Sequence, residues 1–139
     1  MTNFHYETDF RLIKAQNHEN WIEKCCKSEG YVVESLNYIF CDDDFLLKIN
    51  QEYLNHDNYT DIITFDYTQG KLVSGDVYIS VERVRENSKH FDVSFENELH
   101  RVMAHGLLHL MGYKDKGDEH IELMRQKEEE KIKLFHVEQ

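Results

Sequence analysis

The sequence lacks proline altogether, and only six of its 139 residues are glycine. With so few turn-forming residues, no linker rich in Pro, Gly or Ser divides the chain, so we predict one domain over residues 1–139. Apolar runs are only a few residues long, which excludes a membrane span of about 20 residues. The N-terminus also lacks the basic start and apolar stretch of a secretory signal, so we expect a cytoplasmic protein with no membrane partner.

Cysteine is also scarce, since the sequence contains only Cys25, Cys26 and Cys41. Their number is odd, they form no CxxC motif, and the two adjacent cysteines cannot easily bond to each other. This pattern is typical of a reduced cytoplasmic protein. We therefore interpret the three thiols as small, buried apolar side chains.

Basic residues are outnumbered, because 16 Lys and Arg stand against 27 Asp and Glu and give a formal net charge of −11. Such an acidic chain is not expected to bind nucleic acid loosely through charge alone. A local basic groove, or a metal ion that supplies positive charge at one site, stays compatible with the composition. The hydrophobic fraction of 40% and the charged fraction of 31% are typical of a globular protein and not of a disordered tail.

The pattern of apolar residues predicts four strands and five helices. Strands are predicted over residues 3–10, 31–40, 61–67 and 72–80, and helices over 12–27, from 42 onward, 81–90, 92–111 and 117–136. The two strands on either side of Gln69-Gly70 are spaced as an antiparallel hairpin. The order βαβαββααα indicates an α+β fold, with a small mixed sheet of about four strands covered by helices.

Two acidic clusters are interpreted as structural parts of helices and not as parts of an active site. Residues 42–44 (DDD) suit a helix cap and first turn, which we prefer to an acidic metal loop. Residues 128–130 (EEE) are interpreted as a solvated face of the last helix, far from any active site. The residues of that helix expected to face inward are Ile121, Met124, Ile132 and Phe135.

One segment carries a pattern with chemical meaning. His105 and His109 are four residues apart, which places them ~40° apart around a helix and ~6 Å apart along it, so two imidazoles could share one zinc ion. Gly106 would allow another element to approach this helix closely, and Gly112 would end it. Asp115 could then return to the same point, which would leave a coordination position open, as in catalytic sites. With nine histidines in the chain such a pair also arises by chance, so the prediction depends on the glycines and the acid.

The same segment argues against a metalloprotease. Proteases with the HExxH motif carry a glutamate directly after the first histidine, where it acts as general base. Gly106 occupies that position here. Nothing in the predicted helix would activate a metal-bound water for attack on a peptide bond.

The stretch HGLLHLMGYKD resembles the HGxLHLxGYDH signature of the YbeY family of bacterial metal-dependent endoribonucleases. Residues 50–65 (NQEYLNHDNYTDIITF) are similar to the family's second block, and residues 75–79 (GDVYI) to its Gly-Asp-Ile-x-Ile strand. Met124, followed by a Glu-rich helix, is similar to its C-terminal pattern. These blocks occur in the family's order along the chain.

The resemblance implies a single-strand-specific, zinc-dependent endoribonuclease. It would act in maturation of small-subunit ribosomal RNA and in ribosome quality control, with that RNA, the small subunit and ribosome-associated proteins as partners. His105 and His109 match the first two zinc-binding histidines of the family, and one Zn²⁺ per chain is implied. The third histidine falls on Asp115, whose carboxylate is also a suitable ligand. Asp118 and His120 are the alternatives for this position.

A second departure from the family concerns a cation. The family usually has an arginine after the aromatic residue of its second block, and this sequence has Leu54 there. Either zinc acts alone on the developing negative charge or another cation replaces the arginine. Arg83 and Arg85 are candidates, with pairing to neighbouring glutamates as the alternative. Arg101 lies one turn before His105, and we expect Arg83, Arg85 or Arg101 on the rim of a cleft beside the zinc.

Two other functions stay open at this point. A non-catalytic zinc-containing ribosome assembly factor would agree with Leu54 and with the charge of −11. Another zinc hydrolase, acting on a small molecule, would need a deep apolar pocket beside the metal. The residues alone do not identify a general base.

Overall fold

The computed structural model describes residues 1–55 and 59–137, so residues 56–58 of the second family-like block lie outside the described residues. The elements are β1 (Thr2–Tyr6), α1 (Ala15–Ser28), β2 (Val32–Cys41), α2 (Asp43–Leu54), β3 (Ile62–Asp66), β4 (Leu72–Ser80), α3 (Val81–His90), α4 (Phe95–Leu110) and α5 (Asp118–Val137). Their order is the predicted one, and the predicted α+β class is confirmed. Within the described ranges, no helix combines the length and apolarity that crossing a membrane requires.

The four strands form one mixed sheet in the order β1-β2-β4-β3. Strands β1, β2 and β4 run parallel, whereas β3 pairs antiparallel with β4, so the predicted hairpin is confirmed. Gly70 occupies the left-handed region in its turn, with φ 61°. Strand β3 therefore forms one edge of the sheet, where its side chains can border a cavity.

Four predicted elements, β1, α1, β3 and α4, are longer than the structure has them, and β1 and α4 differ most in length. Strand β1 ends at Tyr6. The Glu7 amide still donates to the Phe40 carbonyl at 2.8 Å, and the chain then turns, so that the Leu12 amide donates to the Tyr6 hydroxyl at 3.4 Å. Helix α4 begins at Phe95 and not at residue 92, because Ser94 is its cap. The Ser94 hydroxyl accepts a hydrogen bond from the Asn97 amide at 3.0 Å. A hydroxyl in this position satisfies one of the free amides of the first turn.

Helix α4 crosses the sheet closely because Gly106 has no side chain. A Cβ at this position would lie 2.8 Å from Cγ1 of Val77 and 2.9 Å from Cδ1 of Ile62. The Tyr38 hydroxyl adds a buried hydrogen bond of 2.9 Å to the Met103 carbonyl. The predicted close approach at Gly106 is thus observed. It holds the C-terminal half of α4 against β3 and β4.

The acidic cluster 42–44 begins helix α2, as predicted. Asp42 is the cap, and its carboxylate accepts a hydrogen bond of 2.9 Å from the Phe45 amide. Asp43 accepts a hydrogen bond of 2.7 Å from the hydroxyl of Ser80, the last residue of β4 and the cap of α3. Carboxylates in a first turn interact favourably with the positive end of the helix dipole.

The three cysteines are buried, free thiols, as the sequence predicts. Burial raises the pKa of Cys26 and that of Cys41 to about 12. Thiols with such pKa values stay protonated at neutral pH, and they act here as small packing groups.

Helix α5 packs on the core with one face only. Met124, Ile132 and Phe135 are buried as predicted. The prediction for Ile121 is wrong, because this side chain is 39% exposed. Residues 118–123 are all exposed, so the helix first reaches the core at Met124.

Candidate metal centre

The structure brings together the three residues that the sequence singles out. The Nε2 atoms of His105 and His109 lie 3.0 Å apart, and Oδ2 of Asp115 lies 3.2 Å from each of them. Both histidines project from one face of α4. Gly112, with φ 94°, then reverses the chain and returns Asp115 to the same point. One ion could contact all three atoms.

Each histidine is oriented by a hydrogen bond on its far side. Nδ1 of His105 donates to Oε2 of Glu128 at 2.6 Å, and Nδ1 of His109 donates to the Tyr113 carbonyl at 2.9 Å. A carboxylate and a carbonyl can only accept, so each neutral imidazole carries its proton on Nδ1 and a lone pair on Nε2. This is the arrangement that metal-ligating histidines show in proteins.

The donor set fits a transition metal. Two imidazole lone pairs and one carboxylate oxygen face each other at about 3 Å, an arrangement that is repulsive unless a cation lies between them. Nitrogen and oxygen ligands of this kind suit zinc and its neighbours in the transition series. The side chains are partly exposed, 16% for His105, 26% for His109 and 40% for Asp115, so an ion can enter.

The charges around the site attract a positive species. Burial lowers the pKa of His105, but the hydrogen bond to Glu128 and the charges of Glu128 and Asp115 outweigh burial and raise it. Burial likewise raises the pKa of Asp115, yet the two histidines lower it below its usual range. The cluster therefore stabilises either a proton or a metal ion, and the two compete.

Glu128 is the main site residue that the sequence interpretation missed. The prediction that residues 128–130 lie far from the site on a solvated face is wrong at Glu128, which is 4% exposed and faces His105. Helix α5 packs against α4, and Glu128 lies four residues after Met124 and four before Ile132. It thus occupies the middle of the predicted inward stripe, and this spacing is the signal that could have found it.

Arg101 is surrounded by three carboxylates beside the histidines. Its guanidinium donates to both carboxylate oxygens of Glu98, at 2.9 and 2.6 Å, and lies 3.4 Å from Glu128 and 3.7 Å from Asp61. The hydrogen bond to Glu98 raises the pKa of Arg101 against the opposing effect of burial. Three carboxylates therefore share its charge, which leaves little positive potential for a ligand.

The three candidate ligands lie in an open cavity of about 780 Å³ between α4, the edge strand β3 and the end of α2. This volume is in the range of pockets that hold small ligands. The residues that line it are Asn50, Leu54, Thr60, Asp61, Ile62, Ile63, Thr64, Asp66, Arg101, Val102, His105, His109, Asp115 and Lys116. Both polar and apolar side chains line the wall, and Leu54 is one of them.

The three candidate arginines do not all lie on the expected rim of the cavity. Arg83 pairs with Asp43 at 3.0 Å, and the Arg85 guanidinium lies 4.9 Å above the Phe95 ring; neither arginine lines the cavity. Arg101 does line it. Lys116, which the sequence interpretation passed over, also lines the cavity, and its ammonium forms no ion pair within the described ranges.

The alternatives to Asp115 lie outside the group of three. His120 is exposed, and its Nδ1 donates to the Lys116 carbonyl at 2.8 Å. Asp118 is exposed in the first turn of α5. Within the described residues, the group able to hold one ion consists of His105, His109 and Asp115.

Comparison with known proteins gives one consistent result. The family model described as Endoribonuclease YbeY matches residues 3–136. Among relatives with that name, the one from Flavobacterium johnsoniae is 59% identical over the full length of both chains, and the one from Christiangramia forsetii is 56% identical over 99% of this chain and 96% of its own. The solution structure of a Thermotoga maritima protein is similar with a TM-score of 0.71 and 29% identity, over 99% of this chain and 91% of that chain.

We predict that Glu128→Gln weakens metal binding about 10- to 100-fold, because a neutral amide supports the basicity of His105 less than a carboxylate does. The matched control is Glu129→Gln, which removes the same charge from the exposed side of the same helix. Competition with a chromophoric chelator measures both affinities. A Glu128→Gln protein that binds metal as tightly as the Glu129→Gln protein would contradict the role of Glu128.

Proposed function

This chain belongs to the YbeY endoribonuclease family, and from that premise we propose that it cleaves single-stranded RNA with one zinc ion held by His105, His109 and Asp115. The enzyme is an endoribonuclease, a hydrolase of RNA phosphodiester bonds. We further propose that it acts in the cytoplasm on small-subunit ribosomal RNA during maturation and quality control of the ribosome.

One observation carries this proposal: two imidazole nitrogens and one carboxylate oxygen converge at the wall of an open cavity. Three protein ligands leave at least one position for water or substrate, which structural zinc sites do not. A cavity open at one side also suits a polymer, which must enter and leave along its length. The arrangement therefore supports a catalytic metal centre for an extended substrate.

The bound metal would polarise a phosphate oxygen and lower the pKa of the attacking water. The residues of the chain provide the remaining functions. Glu128 and the Tyr113 carbonyl orient the two imidazoles from behind. Lys116 adds positive charge on the wall where the phosphates would lie. Gly106 stands where a protease would have its glutamate base, which agrees with a substrate other than a peptide.

A ribosome assembly factor without cleavage activity is the second candidate, and Leu54 favours it. This side chain lines the cavity at the position where most of the family has arginine, so no cation stands at that position of the wall. A zinc hydrolase of small molecules finds less support, because the cavity is open and its wall is mixed in polarity. Cleavage of RNA by the metal-loaded protein separates the first two candidates.

We predict that the zinc-loaded protein cuts a labelled single-stranded fragment of ribosomal RNA and leaves the matching duplex intact. His109→Ala should reduce the rate about 100-fold or more, since the metal loses a ligand. His120→Ala is the matched control, because that imidazole is exposed and lies outside the group of three. Gel analysis of the products measures both rates. Binding without cleavage by the wild-type protein would favour the assembly factor instead.

We predict that Lys116→Ala weakens RNA binding and reduces the slope of log affinity against log salt concentration by about 0.7, as expected for one lost phosphate contact on a single strand. Lys114→Ala is the control, since Lys114 is exposed two residues earlier and does not line the cavity. Fluorescence anisotropy at several salt concentrations measures both slopes. Equal slopes for the two variants would exclude Lys116 as a phosphate contact.

A further inference from the structure

The cavity holds a carboxylate that the metal group does not use. Three aspartates line the wall: Asp115 contacts both histidines, and Asp66 is exposed at the end of β3, where it accepts a hydrogen bond of 2.9 Å from the Thr68 amide. Asp61 is different, because its side chain is only 23% exposed and accepts no hydrogen bond from the two histidines. It is the carboxylate available for proton transfer.

The backbone around Asp61 is fixed by the sheet. Its carbonyl accepts a hydrogen bond of 3.0 Å from the Ser80 amide, directly before β3 begins. Its side chain points toward α4, with Oδ2 3.7 Å from Nη2 of Arg101. Arg101 lies one turn before His105, so the carboxylate approaches the cavity from the sheet while the two histidines approach it from the helix.

We propose that Asp61 is the general base of the reaction and removes a proton from the water that attacks phosphorus. This inference rests on the proposed function. As the water oxygen forms its bond to phosphorus, Asp61 takes one proton, and the bond from phosphorus to the leaving ribose oxygen breaks. That oxygen takes a proton from solvent in the open cavity. The products are a phosphate monoester and a free hydroxyl, and Asp61 later returns its proton to solvent.

The charges that face Asp61 support this assignment. Burial raises its pKa above the usual range, and the charge of Glu98 acts in the same direction. The charges of Arg101 and His105 oppose these effects without cancelling them. A carboxylate with a raised pKa is a stronger base than an exposed one, and the efficiency of general base catalysis increases with that strength.

The test compares Asp61→Asn with Asp44→Asn in the zinc-loaded protein, since Asp44 is exposed in the first turn of α2 and does not line the cavity. Asp61→Asn should lower kcat by about 100-fold or more while KM and zinc content stay within about threefold of the wild type, since a base is lost and not a ligand. Asp61→Asn should also move the acidic limb of the pH–rate profile, because one of the groups that ionise on that limb is removed. Asp44→Asn should stay within about twofold of the wild type in kcat. Asp61→Glu, which retains a carboxylate, should keep the acidic limb and part of the rate, and it decides the question if Asp61→Asn does not fold.

Each alternative outcome has a separate meaning. A wild-type protein that does not cleave RNA would refute the proposed function itself. A cleaving protein in which Asp61→Asn keeps the wild-type kcat and acidic limb would overturn only the role of Asp61. Loss of zinc from Asp61→Asn would also overturn that role, because the residue would then be a ligand or a support of the metal.

Discussion

The hydrogen bond of 2.6 Å between His105 and Glu128 is the interaction on which the site depends. It joins α4 to α5 and settles which nitrogen of the imidazole carries the proton. Together with the bond from His109 to the Tyr113 carbonyl, it turns two lone pairs toward Asp115. The two lone pairs and the carboxylate thus create a negative electrostatic potential at one point, and a bound cation neutralises it. Metal binding follows from this arrangement of charges.

The rest of the fold maintains this arrangement. Gly106 lets α4 lie directly on the sheet, which places the histidines beside the edge strand and its cavity. The turn after α4 is anchored through the hydroxyl of Tyr113, which donates to Glu29 at 2.6 Å. Bonds from Lys131 and Tyr113 outweigh burial and lower the pKa of Glu29 to about 2, so this anchor stays ionised at neutral pH. Helices α1, α4 and α5 therefore converge behind the site.

Much of this architecture is predictable from local signals in the sequence. The element order follows from apolar periodicity, the cap at Asp42 from its acidic cluster, and the pair His105 and His109 from helical spacing. The ionic partners are not predictable in the same way, because they depend on which helices pack together. Glu128 is one example, since an acidic run is usually solvated, and its burial requires α5 to lie against α4.

Anomalous scattering at the zinc absorption edge, measured on crystals of the zinc-loaded protein, tests the central claim most directly. We predict one metal per chain, bonded to Nε2 of His105, Nε2 of His109 and one carboxylate oxygen of Asp115 at about 2.0–2.2 Å. A metal bound by His120 or Asp118 in place of Asp115, or a metal bound elsewhere with the two imidazoles free, would contradict this prediction.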